Sequence, residues 1–473
     1  MNFFRGIRAT RHNVTLNPPA HINGMKYLFP ILLLLATSAC LPFFGGVEPL
    51  PVPGIPEAKV KEDVDLFLST EDPAVENEIL DRLKRQNVSN EMVKSILKTR
   101  NASPTGPSGL QQGLEFSHNE KSYPYALYVP ESAKPGDAYP LAVILHGMGG
   151  SGDNTIEPWV ERLSREYIIL CPSYPMGAWW AQPAEELVLK LIEKIQKEYP
   201  VDPDRVFLAG LSNGAIGAYM IGMFYPDRFA GVIPIASGIT PRYMHFLVNL
   251  KNTPTYIIQG VYDPIFPIEL SRRVHQILTD MKYPVTYREH GEKGSAHGGH
   301  FLPEDEVAPL VEWMKKQKRD PLPAVVRMTR EANHLGRINW ARLTKGTQMA
   351  ALQLPGPERE AVNIRDGKIA SLFALQKGNN EFEVTGKNLV EFELFLNTGM
   401  MDFNAPVRIL TQKLVEENGK IVADLKQEVF NQKIDKNLSV LLRDFKENRD
   451  PAMLFDARIT ISLERTLAFL TQR

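Results

Sequence analysis

The stretch Val206-Phe207-Leu208-Ala209-Gly210-Leu211-Ser212-Asn213-Gly214 narrows what this chain can fold into more than any other. Four apolar residues lead into a Gly-x-Ser-x-Gly, and a helix-like pattern follows from Asn213. A serine on a sharp strand-to-helix turn has its hydroxyl pushed out to where a reactant can meet it. Small residues two places to either side let the backbone make that turn without clash. A helix starting at Asn213 aims its free N–H groups and positive dipole end at the serine. Five residues with three fixed positions recur by chance, so the reading depends on partners elsewhere in the chain.

The surrounding pattern alternates strand and helix. Tyr123 to Pro130 is strand-like, Leu141 to Leu145 and Ile168 to Leu170 are continuous apolar runs, and Glu185 to Lys197 has helical periodicity. Further strands are expected at Gly231 to Ala236, Thr255 to Gln259 and Val285 to Glu289, and helices at Ala215 to Phe224, Glu269 to Met281 and Glu304 to Lys318. Continuous apolar strands alternating with helices predict an α/β fold, a doubly wound, mostly parallel sheet covered on both faces. Ligands on such sheets bind at the carboxyl ends of the strands.

Chemistry is therefore sought just after each strand. Leu145 is followed by His146-Gly147-Met148-Gly149-Gly150, a turn that can aim backbone N–H groups at a carbonyl oxygen. The Met148 and Asn213 N–H groups are the expected oxyanion hole, with His146 and Gly147 facing substrate; a tight turn without ligand is the plain alternative. Gln259 is followed by Gly260-Val261-Tyr262-Asp263, which places a carboxylate to orient a histidine. An Asp-Pro is also an ordinary turn former. The loop after Glu289 holds His290, His297 and His300, one of which can be a general base. The order serine, aspartate, histidine is the one this fold class uses. His297 and His300 as a metal pair lack a third ligand with recognisable spacing, so neither metal nor cofactor is expected. Trp179-Trp180 follows one strand by a loop and reads either as an aromatic wall at the mouth of the site or as packing beneath it.

These residues resemble a family. Tyr125 to Pro130, Pro140 to Gly150, Val201 to Val206, Gly210 to Gly214, Tyr225 to Ala230 and Gly299-His300-Phe301-Leu302-Pro303 are similar to the motifs of α/β-hydrolases. The likeness runs from about Gln112 to Arg319 and is nearest to secreted bacterial esterases of the polyhydroxybutyrate-depolymerase and feruloyl-esterase type and to prolyl-oligopeptidase-type serine hydrolases. Ala215 stands where relatives often have a second glycine. The resemblance implies hydrolysis of carboxylic esters through an acyl-enzyme, on a small-molecule or polymer ester. Similar esterases often carry Gly-His with a proline a few residues on, which favours His300 as the base, with His297 as the alternative. Two rival readings are a non-catalytic binding module on the same fold and a peptidase.

The flanks read differently. Met25-Lys26 precedes an apolar run from Leu28 to Ala39, too short to span a bilayer but suited to a signal peptide, which makes Met25 the expected translation start. Small residues before Cys40 resemble a bacterial lipobox, implying export and a lipid anchor on Cys40 that holds the protein to a membrane of the cell envelope; ordinary secretory cleavage near Ala39, with a secreted product, is the alternative. A proline-rich tether, 40–58, follows, then a helical segment and linker, 59–111. The other cysteine, Cys171, sits in an apolar run and reads as an inert core thiol. Residues 320–473 change to alternating patterns such as Ala457, Ile459, Ile461 and Leu463, with hairpin signals at Asp366-Gly367 and Asn418-Gly419, predicting a separate, mainly β domain with a helical stretch near Lys433 to Asn448. The net charge of −1 provides no basic field for nucleic acid.

Overall fold

Leu141, Val143 and Leu145 point into one hydrophobic cluster and Ala142 and Ile144 into another, so this strand is buried on both faces. In the computed structural model of the chain, the described residues are 56–99, 106–132, 138–294, 297–331, 334–347, 369–417, 420–423 and 425–463. The expected signal peptide, Cys40, most of the expected proline-rich tether and the expected Asp366-Gly367 and Asn418-Gly419 turns lie outside them. Among the described residues no helix is long and apolar enough to cross a membrane.

Eight strands form the central sheet: β1 (Gly109–His118), β2 (Lys121–Val129), β3 (Tyr139–Leu145), β4 (Ile168–Pro172), β5 (Val201–Leu211), β6 (Gly231–Ile235), β7 (Thr255–Gly260) and β8 (Val285–His290). Their order is β1-β2-β4-β3-β5-β6-β7-β8. The β1–β2 and β2–β4 pairs are antiparallel, and from β4 to β8 every pair is parallel. The expected helical segment and linker, 59–111, therefore overlaps the sheet, because β1 begins at Gly109. Helices Gln182–Glu198 and Asn213–Phe224 cover one face, and helices Gly152–Arg162 and Val307–Lys316 the other. Cys171 is fully buried, and burial pushes its thiol well above the usual range.

Beyond Pro323 the chain builds two further sheets. The smaller has the order β10 (Ala341–Gly346), β13 (Leu389–Leu396), β17 (Ala457–Ser462). The larger runs β15 (Lys420–Ala423), β14 (Val407–Glu417), β12 (Glu381–Lys387), β11 (Ser371–Gly378), β9 (Val325–Thr329), with β16 (Gln427–Gln432) also on β14. Both contribute to one core that includes Val326, Phe382, Ile409, Phe392, Leu394 and Ile459.

The amino-terminal helices Glu57–Ser69, Pro73–Arg85 and Asn90–Thr99 do not stand alone. Val64, Phe67, Leu83 and Ile96 pack with Leu441, Leu442 and Phe445 of the helix Leu438–Asn448, which lies far along the chain. Buried ion pairs join the sheet region to the later part of the chain. Arg319 bridges Asp204 and Asp450, and Arg337 lies 3.6 Å from Asp227 and 2.8 Å from Asp444.

Candidate active site

Ser212 closes β5 at φ 59°, ψ −121°, a left-handed conformation that costs a non-glycine residue on the order of 1–3 kcal/mol. The surroundings hold it there. Its N–H donates to the Ile235 carbonyl at 3.0 Å, and its carbonyl accepts from the Ala215 and Ile216 N–H groups at 2.9 and 3.2 Å. Both flanking glycines are required by space. A Cβ at Gly210 would collide with the Gly214 carbonyl, and one at Gly214 with the Leu145 carbonyl. The helix that follows is apolar on every side and buried throughout except at Ile216, so the turn is anchored in the core.

Two strands along, Asp263 and His300 meet. Asp263 Oδ2 lies 2.9 Å from His300 Nδ1, and the aspartate side chain is fully buried. Gln259 Nε2–H donates to the same oxygen at 3.0 Å, and the Ile265 and Phe266 N–H groups donate to Oδ1 at 2.8 and 3.0 Å. A carboxylate with this many donors is held in one orientation. The loops carrying the pair touch directly: a Cβ at Gly260 would run into the Gly299 carbonyl, and the Gly299 N–H donates to Tyr262 at 3.0 Å. Phe266 stacks on the His300 ring at 5.9 Å between centroids. Of the other two histidines, His297 is exposed. His290 is buried against Phe301, and neither of its ring nitrogens has a hydrogen-bond partner among the described residues.

The turn after β3 packs against the serine. A Cβ on Gly147 would be 3.3 Å from the Ser212 Cβ. His146 faces inward, 3% exposed. Its Nε2 accepts from the Tyr174 N–H at 3.1 Å, so Nδ1 carries the proton and donates to the Gly147 carbonyl at 2.7 Å. Burial lowers the pKa of this imidazole against the opposing Gly147 hydrogen bond, consistent with that neutral tautomer.

Residues 181–316 match the phospholipase/carboxylesterase family. The poly(3-hydroxyalkanoate) depolymerase C of Paucimonas lemoignei is 29% identical over 145 residues, 27% of this chain and 34% of that one. A protein of Nocardia uniformis subsp. tsuyamanensis, named provisionally as an esterase, is 26% identical over 156 residues, 29% of this chain and 45% of its own. The chain has an α/β-hydrolase fold. It spans between a third and a half of the length of these curated relatives. Among solved structures, a thermostable esterase is 26% identical and covers 44% of this chain and 63% of its own, with a TM-score of 0.39.

The structure decides between the two readings of Trp179 and places His146 as follows. Trp179 is not an aromatic wall: it is fully buried, donates its indole N–H to the His146 carbonyl at 2.9 Å, and presses on Gly217, where a Cβ would not fit. Trp180 is the partly exposed member of the pair. The His146 ring is buried as well, with both nitrogens engaged by backbone. Met148 is exposed on the turn, and Asn213, at the first helical position, donates its side-chain N–H to the Met176 carbonyl at 3.1 Å. The sequence reading missed Gln259, fully buried and bound to Asp263. The available signal was a polar residue closing an otherwise apolar strand.

Proposed function

We propose that this hydrolase cleaves carboxylic esters through Ser212, His300 and Asp263. The observation that carries the reading is the 2.9 Å contact between Asp263 and His300 Nδ1. It fixes the proton on Nδ1 and leaves Nε2 to act as base. In the proposed reaction the proton of the Ser212 hydroxyl passes to His300 Nε2 as Oγ bonds the ester carbonyl carbon. The Met148 and Asn213 N–H groups stabilise the oxyanion. Collapse breaks the carbon–oxygen bond to the alcohol, which leaves with the proton from His300. Water then adds to the acyl-enzyme, giving its proton to His300, and the acid departs as that proton returns to Ser212. The phospholipase/carboxylesterase match supports an ester as substrate.

The test is labelling by a fluorophosphonate together with turnover of a soluble aryl ester. Both are expected from the wild-type chain and neither from Ser212→Ala. Hydrolysis retained by Ser212→Ala would sink the assignment. The proposal includes export and a lipid anchor at Cys40, supported by residues 25–40. Fatty-acid labelling in cells that disappears in Cys40→Ser is the expected outcome.

A further inference from the structure

Among the described residues, nine large apolar side chains are exposed, and six lie on loops at the carboxyl ends of the sheet strands. Met148 follows β3, Met176 and Trp180 follow β4, and Val261, Tyr262 and Ile265 follow β7. The other three, Leu66, Leu110 and Leu425, are scattered over a helix, β1 and the turn before β16. Single exposed apolar residues need no explanation, but a set gathered around one point does. The sheet order supplies the geometry. Ser212 ends β5; β3 and β4 lie on one side of it and β7 on the other. Apolar side chains therefore flank the serine from both directions.

Each group is also tied to the proposed machinery by backbone. Met176 sits at φ 56°, ψ 9°, strained for a methionine, and its carbonyl accepts from Asn213 Nδ2 at 3.1 Å. A Cβ on Gly177 would press on the Gly147 carbonyl at 3.0 Å, so this loop rests on the turn beside the serine. On the other side the Ile265 N–H binds Asp263 and the Tyr262 carbonyl accepts from Gly299, next to His300. Lys293 Nζ lies 4.0 Å from the centre of the Tyr262 ring and fixes it in place.

We infer that the substrate is an ester with apolar groups on both sides of its carbonyl, one resting on Met176 and Trp180, the other on Val261, Tyr262 and Ile265. This deepens the esterase reading and rests on it.

The experiment measures kcat/KM on two ester series, one lengthening the acyl chain on a fixed small alcohol, the other lengthening the alcohol on a fixed short acid. In the wild type kcat/KM rises roughly two- to fourfold per added methylene in both series over the first few carbons. Met176→Ser flattens one series and keeps the slope of the other; Ile265→Ser does the reverse. Met176→Leu, which keeps the apolar surface, retains both slopes, and unchanged circular dichroism shows that the serine variants are folded. Slopes that are flat in the wild type, or lowered together by both serine variants, would overturn the inference. Failure of the esterase reading looks different, since no ester of either series is then turned over and Ser212 is not labelled.

Discussion

Two histidines in this chain each meet buried carboxylate, with opposite consequences. His300 binds Asp263 through Nδ1 alone, and Nε2 has no partner among the described residues. His334 is engaged at both nitrogens: Nδ1 meets Glu331 and Nε2 meets Glu185, each at 2.7 Å. Its ring also stacks on Phe224 with centroids 3.9 Å apart. A histidine with one nitrogen free can move a proton; a histidine clamped between two acids can only hold one. The first lies at the mouth of the strands. The second joins the helix Gln182–Glu198 and the end of the elbow helix, Asn213–Phe224 after the strand-to-helix elbow at Ser212, to the chain that leads into the later sheets.

The comparison would break first at the serine. Ser212→Ala is expected to lower kcat on the order of ten-thousand-fold or more, measured on an aryl ester, with an unchanged unfolding midpoint. Asp263→Asn is expected to cost roughly ten-thousand-fold by releasing the wrong His300 tautomer, and His300→Ala a comparable amount. His297→Ala should change kcat less than about threefold, since that ring is exposed and has no contact with Asp263. If His297→Ala were the more damaging variant, the base would have to be reassigned.

At the second histidine the readout inverts. His334→Gln leaves two buried carboxylates facing each other and is expected to cost about 3 kcal/mol of stability by denaturant unfolding, with little change in kcat. A large loss of kcat in the folded variant would erase the distinction between the two sites.

A smaller, sharper test is pH. Burial lowers the His334 pKa, but the hydrogen bonds and charges of Glu185 and Glu331 outweigh it, and the net shift is upward. Burial raises the Glu185 pKa, the same direction for the cluster as a whole. Around the ring stand Glu185 and Glu186 from one helix, Tyr225 from the elbow helix end, and Arg330 and Glu331 from the connecting chain, with the Arg330 pKa lowered to about 10 by burial. The folded cluster thus binds its proton more tightly than the unfolded chain does. Its stabilisation is fully present below about pH 6.5, the unfolded histidine value, and is lost as pH rises through the folded value. The wild-type stability advantage over His334→Gln should shrink on going from pH 6 to pH 9. Smallest of all, Cys171 should resist alkylation in the native protein and react only on unfolding.

How much of this could be read from the residues differs by element. The elbow was legible because its requirements are local: an apolar strand, two glycines without room for a Cβ, and a helix start within nine residues. The parallel sheet was legible because strands buried on both faces must be continuously apolar. Trp179 and Trp180 could not be separated, because two adjacent loop aromatics look alike until one of them meets Gly217. The amino-terminal helices showed their apolar faces but not what covers them, since Leu441 and Phe445 lie more than three hundred positions away. The Glu185–His334 pair spans 149 positions and matches no motif, so nothing in the sequence pointed to it.

The sequence by itself determined where a strand, a turn and a helix must succeed one another, and which residues stand just past each strand. Those properties depend on neighbours along the chain. The resemblance favoured His300 over His297 as the base, and the tertiary structure decided which of the three histidines meets Asp263. That choice follows from Gly260 and Gly299, whose missing side chains let two loops approach closely enough for His300, and neither His290 nor His297, to reach the carboxylate.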